Sequence, residues 1–194
     1  AKAEELIKYI EPSSSEENTN LGNVSIYSNF DQLTWGNLSP EKLNGAEVTY
    51  KELLGDIGSF QLDYKVKAKN DYDTEQYYNV TEYFRLKWTD TNIYLLDYRR
   101  TMNQIFDATG QSVTSSRVNL GIGEDFGVEY DGDKDGNYIA FVKEQSLWMM
   151  DVKTNQITSI FAFSNTPQDD DIRNVNKEHD IKIVDVSEKG DVKF

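Results

Sequence analysis

The chain has no cysteine and a single histidine. The first absence removes disulfides, a thiol nucleophile and thiolate zinc sites together. The second removes any histidine-rich metal centre and leaves His179 as the one imidazole. A Ser-His-Asp arrangement built on it needs a nucleophile turn, and no Gly-x-Ser-x-Gly is present. No apolar run approaches the roughly 18 residues that cross a bilayer. Residues 1–10 are charged throughout and make no signal peptide, so any export or anchoring segment is expected before Ala1. Positive charge is scarce too: 20 Lys and Arg stand against 34 Asp and Glu, a net charge of −14. Such a field repels nucleic-acid phosphates and anionic membrane surfaces, so no nucleic-acid partner is expected. It attracts cations and basic partners, although acidity of this kind commonly serves solubility. Lack of cysteine fits a cytosolic protein and an exported Gram-positive one equally.

Aromatic residues, by contrast, are plentiful: 12 Tyr, 9 Phe and 3 Trp in 194 residues, a balance that suits strands. The chain is long enough for one large domain or two small ones. Leu6, Ile7 and Ile10 share a helical face that Pro12 ends, and residues 13–20 (SSSEENTN) form a polar linker. Residues 23–27 make a first strand. Ser39-Pro40 offers an N-cap followed by proline at the first helical position. Thr49 to Glu52 has capping-box spacing before Leu53-Leu54, with Gly55 placed to stop the turn. Two short helices are expected there.

The clearest period follows. Phe60, Leu62, Tyr64, Val66 and Ala68 alternate with Gln61, Asp63, Lys65 and Lys67, the pattern of a half-buried antiparallel strand with one wet face. Residues 70–75 turn the chain and residues 80–88 return it, making a long hairpin whose apolar face needs a cover. Residues 93–96, 138–142 and 147–150 are apolar on both parities, which predicts burial on both faces. Residues 110–136 are rich in turns, and residues 166–177 make a polar connection. Residues 181–186 and 192–194 flank a Gly-containing loop as a last hairpin. The chain ends while that strand is still in pattern, so an excerpt of a longer protein is expected.

Part of the sequence repeats. Residues 83–97 (YFRLKWTDTNIYLLD) lie over residues 138–151 (YIAFVKEQSLWMMD) with a one-residue gap in the turn, and Ile105-Phe106 falls on Ile160-Phe161. The later copy opens on Asp135-Gly136-Asn137-Tyr138-Ile139-Ala140-Phe141-Val142 and continues through Leu147-Trp148-Met149-Met150-Asp151 to a polar turn before Ile157. That order resembles the blade signature of TolB-like β-propellers. The resemblance implies blade-like antiparallel sheets. Two copies and the start of a third are too few to close a propeller, since blades repeat at about 40–50 residues and arrays need at least about three copies. A second resemblance spans more of the chain, through Ser28-Asn29-Phe30-Asp31-Gln32-Leu33, Leu54-Gly55-Asp56-Ile57-Gly58-Ser59-Phe60, Asn92-Ile93-Tyr94-Leu95-Leu96-Asp97 and His179-Asp180-Ile181-Lys182-Ile183. These stretches look like a family of large membrane-tethered proteins of clostridial Firmicutes. That resemblance implies an anchor outside this chain and an extracytoplasmic, cell-surface position. It implies no activity.

The candidate metal site is Asp131-Gly132-Asp133-Lys134-Asp135-Gly136, the Asp-x-Asp-x-Asp-Gly order of a calcium loop. Asp131, Asp133 and Asp135 would be its ligands. Position nine of such a loop is Ile139 and position twelve is Val142, so its C-terminal side lacks a ligand that Glu129 or Asp125 would have to supply. The competing reading is an acidic hairpin turn. His179 in HDIKIV is better placed to cap a strand entrance than to act in catalysis. Gly121-Ile122-Gly123-Glu124-Asp125-Phe126-Gly127 has one residue too many for a dinucleotide fingerprint and sits beside acid, which opposes phosphate. Carboxylates are too abundant to single out a glycosidase pair. Tyr72, Tyr77, Tyr78 and Tyr83 offer a stacking surface, or simply cross-strand packing.

The sequence therefore predicts a mainly β protein of antiparallel sheets: residues 1–22 as helix and linker, residues 23–80 as a β-rich segment with short helices, and residues 81–194 as propeller-like blades of an incomplete propeller. With no catalytic constellation in view, the expected role is a non-catalytic extracytoplasmic binding or sensory module whose loops meet a protein or cell-envelope ligand. Calcium is the one cofactor the residues suggest. The alternatives are part of a hydrolytic enzyme completed by blades outside this chain, and a structural envelope protein.

Overall fold

In the computed structural model the alternating run at residues 60–68 becomes an interior strand of an antiparallel sheet. The structure describes residues 20–69, 73–108, 113–114, 117–121, 127–163 and 179–194. The expected helix before Pro12, most of the Ser-rich linker and the connection at 166–177 lie outside the described residues. The chain divides into two units, Ala1–Ile105 and Phe106–Phe194.

The first unit is one sheet. Its strands are β1 (Asn23–Ser25), β2 (Glu41–Lys42), β3 (Glu47–Leu54), β4 (Ile57–Lys69), β5 (Glu75–Trp88) and β6 (Ile93–Gln104), in the order β1-β6-β5-β4-β2, with β3 also pairing β4. The β4–β5 ladder runs from Ile57↔Lys87 to Lys69↔Glu75 and is the long hairpin that the alternation predicts. Because residues opposite one another share a face, the register sorts the side chains. On one face Tyr50, Phe60, Phe84 and Tyr98 form a row across four strands. Phe60 and Phe84 stack at 5.2 Å and Phe84 meets Tyr98 at 5.0 Å. Val24, Val66, Ala68 and Val80 are buried. The other face is wet, carrying ion pairs such as Arg85–Glu52 and Lys87–Asp56.

A single turn of helix, α1 (Phe30–Leu33), covers part of the apolar face. It starts in a capping box: Gln32 N–H donates to Asn29 Oδ1 at 2.9 Å, and Asn29 N–H donates to Gln32 Oε1 at 3.2 Å. Its last carbonyls, which a helix end leaves unpaired, accept from Arg100: Nη2 reaches Gln32 O at 2.6 Å and Nη1 reaches Leu33 O at 3.1 Å. The guanidinium lies 3.5 Å from the centre of the Trp35 ring and is fully buried. One arginine thus ties the helix to β6.

Three local expectations give way here. Residues 49–52 are not helical; they lie within β3, and Gly55 (φ +60°) with Asp56 makes the two-residue turn into β4. A capping box contributes about 1 kcal/mol, less than a ladder that runs with one bulge from Glu47↔Asp63 to Leu54↔Ile57. Ser39-Pro40 starts no helix either: Ser39 has φ +45° and the chain enters β2. Residues 93–96 are not buried on both faces, since Ile93, Tyr94 and Leu96 are exposed at the open end of the sheet. The expected boundary at 80/81 falls inside β5, which pairs with β4 on one side and β6 on the other; the division comes at 105/106 instead.

The second unit contains a two-stranded ribbon, β7 (Val113–Thr114) with β8 (Arg117–Val118), and a four-stranded meander. The meander is β9 (Tyr130–Gly132), β10 (Tyr138–Lys143), β11 (Ser146–Asp151) and β12 (Gln156–Ala162), each strand antiparallel to the next. Apolar residues on both parities are here buried on both faces. Ala140 and Leu147 pack with Ile181 and Val186, while Phe141 and Met150 pack with Phe106. The last hairpin is β13 (Asp185–Val186) with β14 (Val192–Lys193). Its turn uses Gly190 at φ +83°, where an added Cβ would also come within 3.2 Å of the Tyr138 ring. The two sequence copies thus both form hairpins but in different units. The earlier one is the β5–β6 end, with a bulge at Arg85/Leu86, and the later one is β10–β11.

Candidate functional site

The acidic loop joins β9 to β10. Asp133 is 6% exposed. Its Oδ1 accepts the Tyr138 N–H at 2.6 Å and its Oδ2 accepts the Asp135 N–H at 3.2 Å. The Tyr138 N–H bond, with help from Asp135 and Asn137, holds the carboxyl below the usual carboxylate range against the opposing effect of burial. Gly136, at φ +70°, closes the turn with its N–H on Asp133 O at 3.1 Å. Asp131 stands opposite Ala140 in the ladder, and its Oδ1 accepts the Gly132 N–H at 2.8 Å. Asp135 is exposed. Glu129, one of the two proposed supplementary ligands, accepts the Ile183 N–H at 3.1 Å; the other, Asp125, lies outside the described residues. Among the described residues no group of three or more His, Cys, Asp and Glu is placed to hold a metal ion. The geometry of Asp133 is that of a turn organiser. Asp151 plays the same part at the β11–β12 turn: burial raises its carboxyl, but the N–H groups of Thr154 and Lys153 outweigh that and hold it low.

A cleft of about 190 Å³ opens at the other end of β10, between residues 127–129, 142–145 and 179–181. His179 borders it, its ring stacked on Phe163 at 3.9 Å. The β10–β11 turn forms another wall with Glu144 and Gln145, both at positive φ (+51° and +59°). Ligand pockets generally run from about 300 Å³ upwards, so this cleft suits at most a side chain or a small ion. Tyr72 lies outside the described residues; of the other three tyrosines, Tyr77 and Tyr78 point to opposite faces of β5, and Tyr83 lies on the wet face under Arg99, 5.9 Å from its ring centre.

The largest feature that the sequence did not indicate is the uncovered end of the first sheet. Leu53 is 71% exposed, Ile93 66% and Trp88 41%. The register lines up Leu53, Gly58, Leu86 and Leu95 in one row, with Trp88 opposite Ile93 in the next row on the same face. Gly58 leaves the space that the Trp88 ring fills: a Cβ there would meet Trp88 at 3.0 Å and Leu53 at 3.3 Å. The cap-like spacing before Leu53 and the double-sided apolar run at 93–96 are both local patterns, and neither says whether a second layer exists. Comparison with protein-family models, curated proteins and solved structures finds no match for this chain.

Proposed function

We propose that this chain is a non-catalytic, extracytoplasmic binding module of a larger membrane-anchored protein, and that it takes a protein partner on the uncovered end of the first sheet. The observation that carries the binding reading is the exposed patch of Leu53, Trp88 and Ile93 in two adjacent rows of one face, continued inward by the Phe60–Phe84–Tyr98 stack. A Trp held against a glycine and open to water on its other side is the kind of rigid aromatic anchor that protein interfaces favour. The β9–β10 and β11–β12 turns of the second unit, by contrast, are tied up by Asp133 and Asp151. The meander β9–β12 is read as one propeller-like blade, in keeping with its strand order and its Asp-Gly entry turn. The surface location rests on the likeness to tethered clostridial proteins.

These 194 residues hold no cysteine, so one engineered thiol among them can be read against the unsubstituted protein as control. A cysteine at Asp90, in the exposed loop beside Trp88, is expected to react with a membrane-impermeant maleimide in intact cells making the full-length protein. Reaction only after lysis would overturn the location. A photo-crosslinker at Ile93 is expected to trap one defined protein, and Trp88→Asp is expected to abolish the adduct. An adduct that Trp88→Asp leaves untouched would overturn the binding surface.

A further inference from the structure

Strand β3 is an edge. It pairs with β4, and among the described residues no strand pairs its other side. A long edge with apolar side chains is a template for another strand. The order of residues along it, Glu47-Val48-Thr49-Tyr50-Lys51, is complementary to itself when run antiparallel. With Thr49 opposite Thr49 of a second copy, Val48 falls opposite Tyr50 and Glu47 falls opposite Lys51, each twice by symmetry. Threonine pairs, aromatic with β-branched pairs and opposite charges are the combinations that favour neighbouring strands. The faces agree too. Val48 and Tyr50 lie with Leu62 and Phe60 on the apolar side, while Glu47 and Thr49 lie with Asp63 and Gln61 on the wet side, so a two-fold axis through Thr49 keeps like with like. The bulge in β3 begins only at Lys51, between Tyr50 and Glu52, and leaves residues 47–50 in regular register. Val48, Tyr50, Glu47 and Lys51 are all exposed.

We infer that two copies of this chain associate through β3, in antiparallel register about Thr49, joining their first sheets into one. The closed interface is isologous, as two-fold contacts are, and carries the Phe84–Phe60–Tyr50 row across to the Val48 of the other copy. Trp88 itself lies on β5, away from residues 47–51 of the β3 edge, so Trp88→Asp leaves dimerisation intact.

Sedimentation velocity of the 194-residue chain over a range of concentrations reads the association directly. Glu47→Lys alone and Lys51→Glu alone each replace two attractive pairs with two repulsive ones, and each is expected to weaken the dimer by about tenfold or more. The double exchange restores it, which also shows that the charges and not misfolding caused the loss. Thr49→Cys is expected to form a disulfide-linked dimer under mild oxidation, and Lys65→Cys on the interior strand β4 is not. A chain that stays monomeric at every concentration overturns the proposal. So does a dimer indifferent to all three charge variants.

Discussion

Arg100 illustrates how one side chain can do several things that no substitute does together. It donates to two carbonyls at the end of α1, lies on the Trp35 ring and sits opposite Glu82 in the β5–β6 ladder. Glu82 in turn accepts from the Tyr98 hydroxyl at 2.7 Å. Burial, followed by the charge of Glu82, pushes the Tyr98 hydroxyl well above its ordinary value, and the same two causes raise Tyr64. Removing the guanidinium leaves the Gln32 and Leu33 carbonyls without their donor and takes a positive charge from beside Glu82. Arg100→Ala is therefore expected to cost about 3 kcal/mol, read as a lower urea midpoint. Arg100→Lys should recover little of it, because an ammonium cannot fork to two carbonyls while stacking on an indole.

Asp133 makes a prediction of the opposite electrostatic kind. Its carboxyl is held low by backbone N–H groups in the folded state. Its contribution is therefore fully present above the ordinary carboxylate value, about 3.9, and is lost as pH falls through the lower folded value. The Tyr138 amide resonance should report this with a midpoint below that ordinary value; a midpoint at or above it would contradict the hydrogen bonds. Since both oxygens are engaged, the melting midpoint should be the same in EDTA and in excess calcium. A calcium-dependent rise abolished by Asp133→Ala would instead place an ion in the loop, because a ligand that binds only the folded state raises the midpoint.

At the level of elements, the two hairpins that repeat in sequence differ in how they turn. Residues 89–92 give β5–β6 a wide loop, closed by the Thr89 N–H on Asn92 O at 2.8 Å. The β10–β11 connection has only Glu144 and Gln145, both left-handed. Such a pair matches the twist of the strands but favours Asn-Gly, and ordinary side chains are strained in it. Exchanging Glu144-Gln145 for Asn-Gly should stabilise the second unit by about 1 kcal/mol, seen as a higher thermal midpoint. An unchanged or lower midpoint would mean that the side chains of these two residues contribute more than their backbone costs. The same pairing logic explains β3. Its cap-like spacing Thr49 to Glu52 carried a helix signal, but a neighbour such as β4, alternating in step, outweighs a local preference.

For the whole molecule, where the chain divides decides which pieces can stand alone. A break after residue 80 cuts β5 in the middle and separates it from β6. A break after Ile105 cuts no strand. Residues 1–105 expressed alone should give a cooperative, strand-rich circular dichroism melt, and residues 1–80 should not. Equal folding of both pieces would show that β6 contributes little to the first sheet.

Much of this was legible in the amino-acid order. The alternation from Phe60 to Ala68, the returning strand, the double-sided apolar runs at 138–142 and 147–150, and the glycine turn before Val192 depend on neighbours in sequence, because a strand's period is set by its own backbone. The two readings of Asp133 were legible as well: the Asp-x-Asp-x-Asp-Gly order offers a calcium loop, and Ile139 and Val142 at its later positions offer an acidic hairpin turn instead. What only the tertiary structure decided was which apolar residues find a second layer. Leu147 and Ile93 read alike in sequence, both in runs apolar on both parities, yet one is buried between packed elements and the other stands exposed at the end of its sheet. The fate of the Thr49 cap, the tie of Arg100 to a helix some 67 positions earlier in the chain and the free side of β3 were settled in the same way. Each depends on a partner distant along the chain, and composition and periodicity are blind to distance of that kind.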